Sequence, residues 1–338
     1  AARQGRAAPF LWPKLSMRLA VLTAAFLPLI AAPELTGVTV EAGTKVTKTF
    51  ESFLNLELVE MSISLDGEEK DLPAGESPTK TMSDEEEVVF VDEYVKVEGG
   101  RGVEILRTYE TLSDMSMQSI TPPGSDETME DLEEGESPFL DLTVKFVWDA
   151  DEEEYVATFV DADDADDDLL EDLHGDADFL YLLSDGPMEE GSSWDIDIEA
   201  FDFISSPSGN LQINDPDSED EEDDEAFSEA FNEGLEGEMT GTVESIDEGV
   251  VTILIECSVS TSFEIDRSDG GEGPVQGFEL TFDLEGKLLW DLEKGTASEF
   301  ELEGDVEMTV ILSGDMQGME FAQTQLFEGE LKSSATFE

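Results

Sequence analysis

Between Phe300 and Leu312 every even position except Gly304 is apolar, while Glu or Asp fills 299, 301, 303, 305 and 307. Side chains on a β-strand point alternately to its two faces, so this period sets Phe300, Leu302, Val306, Met308, Val310 and Leu312 against a row of carboxylates. From about residue 237 the pattern runs through five consecutive segments: Met239 to Ser245, Val250 to Ile265, Gln276 to Trp290, Ser298 to Ser313 and Phe321 to Phe337. Turn signals fall between them, at Asp247-Glu248-Gly249, at the Gly-rich 269 to 274, at Glu293-Lys294-Gly295 and at Gly314 to Gly318. Strands joined so closely are antiparallel, because a parallel crossover needs roughly a dozen residues or more. The later strands run to roughly 13 to 17 residues, about 45 to 55 Å at ~3.3 Å per residue, and strands that long coil into a strongly curved sheet or a partial barrel.

The first half repeats the theme at Lys45 to Leu65, Val88 to Val97, Gly102 to Leu112, Leu142 to Trp148, Tyr155 to Val160 and Trp194 to Ile204. Apolar parity switches from even at Leu54, Leu56 and Leu58 to odd at Val59, Met61, Ile63 and Leu65, which predicts a bulge near 58 to 60. Asp149 to Glu153 reads as a hairpin loop. Leu169, Leu170 and Leu173 stand at helical spacing inside an acidic run, which predicts a short helical insertion over about 166–183. Asp215 to Glu225 is an acidic loop, followed by a short helix over Ala226 to Leu235 whose Phe227, Ala230 and Phe231 pack on the sheet. The fold class is therefore mostly β, with long, curved antiparallel sheets or a partial barrel and two or three short helices. Its regions are a β-rich stretch over 33–212, the acidic loop and helix over 213–236, and a five-stranded meander over 237–338 that is able to share one domain with the first.

The chain carries 86 acidic against 16 basic residues, a formal charge of −70, and four of the basic residues precede residue 32, where no acid occurs. Such a field repels nucleic-acid phosphate and anionic lipid, so nucleic acid is excluded as a partner. The hydrophobic content of 39%, with 20 Phe, still suffices for a packed core. Self-repulsion at this density is relieved by molar salt or by cations, which points to a high-salt habitat; acidity for the solubility of an exported protein explains it equally well.

Met17-Arg18 followed by the apolar run Leu19 to Ile30 and Ala31-Ala32 has the form of a secretory signal peptide over 17–32. Residues 1–16 read as upstream translation rather than native protein. The expected localisation is export, to the periplasm or beyond, with no integral membrane segment after cleavage, since the apolar run is short for a span. Cys257 stands alone, which rules out an internal disulfide, and it shares inward parity with Val251, Ile253, Ile255 and Val259, as a buried core residue does.

No catalytic motif emerges. Neither acidic run fits an EF-hand: counted from Asp161, loop position 5 is Ala165, position 6 Asp166 and position 12 Asp172, and counted from Asp215, position 12 is Ala226. Asp161, Asp163, Asp164, Asp166, Asp167 and Asp168 are candidates for loose binding of Ca²⁺ or other cations, and no further cofactor is expected. A glycoside hydrolase needs two carboxylates about 5 to 9 Å apart across a cleft, but inward strand positions are nearly all apolar, leaving few buried acids to tune. His174 is the only histidine, so multi-histidine metal sites are impossible, and a surface or helix-terminal role fits it. Trp148, Trp194 and Trp290, at strand ends with inward parity, together with Phe300 and Met308, are the candidates for lining an apolar ligand cavity. Strands longer than the usual ten or so residues and no aromatic girdles speak against an outer-membrane barrel.

The stretch Leu169 to Trp194 contains Leu-Leu-Glu-Asp-Leu, Leu-Leu-Ser-Asp-Gly-Pro and Glu-Gly-Ser-Ser-Trp. With Ser206-Pro207-Ser208-Gly209-Asn210-Leu211 and the segment Gly286 to Gly295, it resembles a family of uncharacterised exported bacterial β-rich proteins, over about half the chain. Ser184 stands where that family has Pro, and Ser192 where it has Asp. The resemblance implies an exported β-rich fold and supplies no catalytic residue.

Two non-enzymatic readings remain, with a carboxylate-dependent glycoside hydrolase behind them. In the first, the curved sheet carries an apolar, lipid-like molecule beneath the helices as a lid. In the second, an envelope or matrix protein binds cations or basic partners through its acidic surface. The sequence leaves the oligomeric state open.

Overall fold

The computed structural model describes residues 38–70, 77–160, 167–170, 173–184, 186–213, 227–228, 230–266, 275–316 and 319–338. The stretches read from the sequence as upstream translation (1–16) and signal peptide (17–32), Asp161 to Asp166 and Asp215 to Glu225 lie outside them, and residues 33–338 cluster as one compact unit. Seven strands run through the first part: β1 Thr44–Leu65, β2 Glu68–Lys70, β3 Thr79–Glu98, β4 Arg101–Thr121, β5 Met129–Gly135, β6 Thr143–Asp149 and β7 Glu154–Val160. They are followed by β8 Ser193–Ile196, the helix α1 Ala200–Ser205, and the strands β9 Glu236–Asp247, β10 Val250–Asp266, β11 Val275–Asp291, β12 Thr296–Met316 and β13 Met319–Phe337.

All thirteen strands share one antiparallel sheet, in the order β7-β6-β4-β3-β1-β13-β12-β11-β10-β9-β8, with β2 on β1 and β5 on β4. The path is open, ending at β7 and β8, so the sheet is curved without closing into a barrel. The first and last long strands, β1 and β13, lie side by side at its centre and join the two halves. Their register slips between Leu58 and Glu60, where the parity change predicts the bulge. A two-residue turn, Glu248-Gly249, both with positive φ, links β9 to β10.

Alternation decides which face is buried. Val46, Phe50 and Leu56 of β1, Phe90 and Tyr94 of β3, Ile253 and Cys257 of β10, and Phe300, Leu302 and Val306 of β12 are all buried. They are covered by the chain between β5 and β9. Phe139 packs on Tyr109, Phe179 on Phe50, Phe300 and Phe337, and Phe201 on Phe282. The helical residues at 230–233 add Phe231 to Phe201 and Phe282. Gly304 and Gly329 interrupt the inward apolar row where adjacent backbones come too close for a side chain. A Cβ at Gly329 would run into the carbonyl of Asn55, and one at Gly304 into that of Asp283.

Three expectations need correction. The strand placed at Trp194 to Ile204 stops at Ile196, and α1 follows, begun by an Asx turn in which the backbone N–H of Glu199 donates to Asp197 Oδ1. The helix expected over 166–183 is two isolated 3₁₀ turns, Asp167–Leu170 and Leu180–Leu182. The chain between them is held by tertiary contacts: Leu173 bridges to Gly209, the His174 N–H donates to Ser208, and Gly175 lies against the Tyr155 ring too closely for a side chain. Finally, β3 and β4 extend past the predicted ends to pair over Thr79–Glu87 and Ser113–Thr121.

Candidate functional site

Charge concentrates at two places on the covered face of the sheet and along a trough on the other. On the covered face, Lys48 of β1, Asp92 of β3 and Arg107 of β4 share the inward parity of Phe50, Phe90 and Tyr109, and all three are wholly buried. Asp92 and Arg107 are direct cross-strand partners. The guanidinium holds the carboxylate in a fork, Nε to Oδ1 at 2.8 Å and Nη2 to Oδ2 at 3.0 Å. Its remaining hydrogens reach up into the covering segment, to the carbonyls of His174 at 2.7 Å and Gly175 at 3.2 Å and to Ser208 Oγ at 2.9 Å. Phe90 and Phe146 sandwich the group, 4.1 and 4.9 Å from its carbon.

Lys48 Nζ sits between two carboxylates, 2.9 Å from Asp92 Oδ2 and 2.8 Å from Asp178 Oδ1, without the alignment of a hydrogen bond to either. Asp178, from the covering segment, also takes the phenol of Tyr94, whose oxygen lies 2.6 and 2.8 Å from its two oxygens. Beside it Phe179 is held at φ 56°, a left-handed conformation that costs a bulky residue ~1–2 kcal/mol. The packing of Phe179 among Phe50, Phe300 and Phe337 sustains that strain and aims Asp178 at Lys48.

Burial alone would discharge these groups, but the partners reverse it. Burial pushes the Asp92 carboxyl up, yet Arg107 and Lys48 hold it below its usual range. Burial pushes Lys48 down, yet Asp178 and Asp92 hold it above. Asp176, half-buried, is pushed up to about 6, by burial and then by Asp178, with Arg101 and Lys48 opposing the rise only in part.

A second carboxylate group lies farther along the same face. Glu86 of β3 stands directly across from Asp114 of β4, with Asp84 two residues on. Burial and its two neighbours push Glu86 up to about 7, and burial and then Asp84 push Asp114 up to about 6.

On the opposite face the described side chains are exposed or half-buried. There the sheet bends into a trough of about 930 Å³ reaching from β4 to β10. Glu51, Glu85, Glu87, Glu285, Glu301 and Glu303 line it against Lys287 and Lys332. Lys287 is engaged by Glu299 at 3.2 Å and Glu301 at 3.0 Å, and Lys332 by Glu330 at 3.0 Å, so the carboxylate excess is uncompensated. Phe53, Met115 and Leu254 give the trough apolar footing, and exposed Met117 and its cross-strand partner Leu132 continue from Met115 along its rim. A neighbouring acidic hollow of about 850 Å³ shares Glu285, Glu303 and Lys332 with it.

The cavity candidates do not converge. Trp290 and Phe300 are packed inside the core and Met308 is half-buried against it. Trp148 stacks under the Arg101 guanidinium at 3.8 Å and beside Tyr155. Trp194 lies flat on Gly241 of β9 and donates its Nε1–H to the Leu182 carbonyl at 3.1 Å. Of the cation candidates, Asp161, Asp163, Asp164 and Asp166 lie outside the described residues, as do the side chains of Asp167 and Asp168. Among the described residues no three His, Cys, Asp or Glu side chains are gathered to hold a metal ion. His174 is half-buried against Phe203, and the Cys257 thiol, buried in the core, is pushed up to about 12 by burial and then Asp283.

Lys48, Asp92 and Arg107 escape a reading based on apolar parity, although the signal is present: each is a charged residue inside an inward row, on strands close enough to meet. No protein-family model matches the chain, and comparison with curated proteins returns no match.

Proposed function

We propose that this protein is a non-enzymatic, exported scaffold of the cell envelope or its surroundings that binds a basic partner through the acidic trough. The observation that carries the reading is the combination in one concave surface of an uncompensated row of glutamates with apolar footing at Phe53, Met115 and Leu254. That pairing suits a lysine- or arginine-rich polypeptide segment bearing interspersed apolar side chains: the charges steer the encounter and the apolar contacts hold it. The lipid-carrier reading has less support, because the apolar face of the sheet is filled by the protein's own Phe139, Phe179, Phe201 and Leu182. The same charge excess underlies the high-salt habitat, which remains part of the proposal.

The test is a titration with a synthetic peptide of alternating Lys and Phe residues, against a Glu85→Gln/Glu285→Gln/Glu303→Gln variant. The expected result is saturable binding that weakens steeply with potassium chloride and falls at least tenfold in the variant. Equal affinity for both proteins would overturn the assignment to the trough. A stoichiometric lipid in an organic extract of the purified protein would return weight to the carrier.

A further inference from the structure

We propose that Lys48 and Asp178 condense spontaneously into an amide crosslink between β1 and the covering segment, with Asp92 as the proton carrier and Tyr94 as the oxyanion donor. The site is built for this on four counts. Lys48 Nζ and Asp178 Oδ1 are 2.8 Å apart, and both side chains are closed off from solvent. The amine and the carboxyl group it would attack are therefore held in contact through Oδ1, where proximity replaces a bimolecular encounter. Asp92 Oδ2 lies 2.9 Å from the same nitrogen. Tyr94 Oη lies 2.6 Å from Oδ1 and 2.8 Å from Oδ2 of Asp178, placed to donate to whichever of the two carries the developing negative charge.

The step balances within the cluster. A proton passes from the Lys48 ammonium to the Asp178 carboxylate, giving the neutral amine and acid, an uphill transfer because the partners hold the resting pair charged. The Nζ lone pair then attacks Asp178 Cγ, and the tetrahedral oxyanion is held by the Tyr94 hydroxyl. Asp92 accepts a second proton from Nζ and returns it to the departing hydroxyl. The C–O bond breaks, one water leaves, and Nζ keeps its last hydrogen as an amide. Asp92 ends as it began, paired with Arg107, so the product leaves no unpartnered charge in the core. A chain with Cys257 as its only cysteine has no disulfide to close its long central segment onto the sheet, and this bond would supply that constraint.

The proposal is independent of what the trough binds. Its test is peptide-level mass spectrometry of the full, natively folded protein after denaturation and proteolysis. The expected result is a branched fragment joining the peptides of Lys48 and Asp178, lighter than their sum by one water. It should be absent in Lys48→Arg and in Asp178→Ala, and reduced at least tenfold in Asp92→Asn. Recovery of both peptides unlinked from folded wild-type protein overturns the proposal, and that reading needs no variant to fold.

Discussion

The two faces of the sheet use the same residue types to opposite ends. On the covered face Lys48 and Arg107 meet Asp92 and Asp178 in a closed, balanced set, the Arg107 hydrogens directed at the Asp92 carboxylate, two carbonyls and a hydroxyl. On the trough face carboxylates stand in rows with few cations among them. The difference is one of solvent. In the dry core each charge requires a partner, and the pairing fixes where the covering segment sits. In water, repulsion is weak per pair and screened by salt, so an excess is tolerated and is available to a partner.

The largest effects should come from breaking the balanced set. Arg107→Leu takes the guanidinium fork from the buried Asp92 and strips the His174 and Gly175 carbonyls of their donor, a loss of about 3–5 kcal/mol in chemical denaturation. Val306→Asp, which buries an unpaired carboxylate among Phe300 and Leu302, should cost a comparable ~3–5 kcal/mol. An unchanged melt for either would break the contrast between the faces.

Strand facing at Val306 was legible because acidic residues, Asp305 and Glu307 among them, flank it at a period of two. The bulge near Leu58 was legible for the same reason, as parity flips across it. The far ends of β3 and β4 were hidden because Asp84, Glu86, Asp114 and Ser116 occupy their inward positions, where the period becomes invisible to a hydrophobicity reading. The helix α1 was hidden because Ile196, Ile198, Ala200 and Ile204 share one parity, while the Asx turn at Asp197 that breaks the strand is a local hydrogen bond. The trough was not legible at all: an acidic strand face looks the same flat or concave, and curvature across seven strands is a tertiary property.

A middle-sized effect sharpens the comparison at its boundary, where Glu86 faces Asp114. Both have folded-state values above their ordinary ones, about 7 and about 6, so the native state takes up protons and gains stability as pH falls through that window. Stability should therefore rise from pH 8 to pH 5. Glu86→Gln should stabilise the protein at pH 8 by about 1–2 kcal/mol, discounted for partial exposure, and flatten that rise. Melts across the range check this, and an unaltered slope in the variant would contradict the placement of Glu86. The smallest effect belongs to the trough, where Glu303→Gln alone should shift stability by less than about 0.5 kcal/mol.

The most direct measurement compares melting temperatures in dilute buffer and in molar potassium chloride for three proteins: wild type, the Glu85→Gln/Glu285→Gln/Glu303→Gln variant and Asp92→Asn. Salt should raise the wild-type midpoint strongly, raise that of the trough variant less, and raise that of Asp92→Asn, from its lower start, by as much as the wild type. A wild-type midpoint indifferent to salt, or a salt response lost in Asp92→Asn and kept in the trough variant, would contradict the division of labour between the two faces.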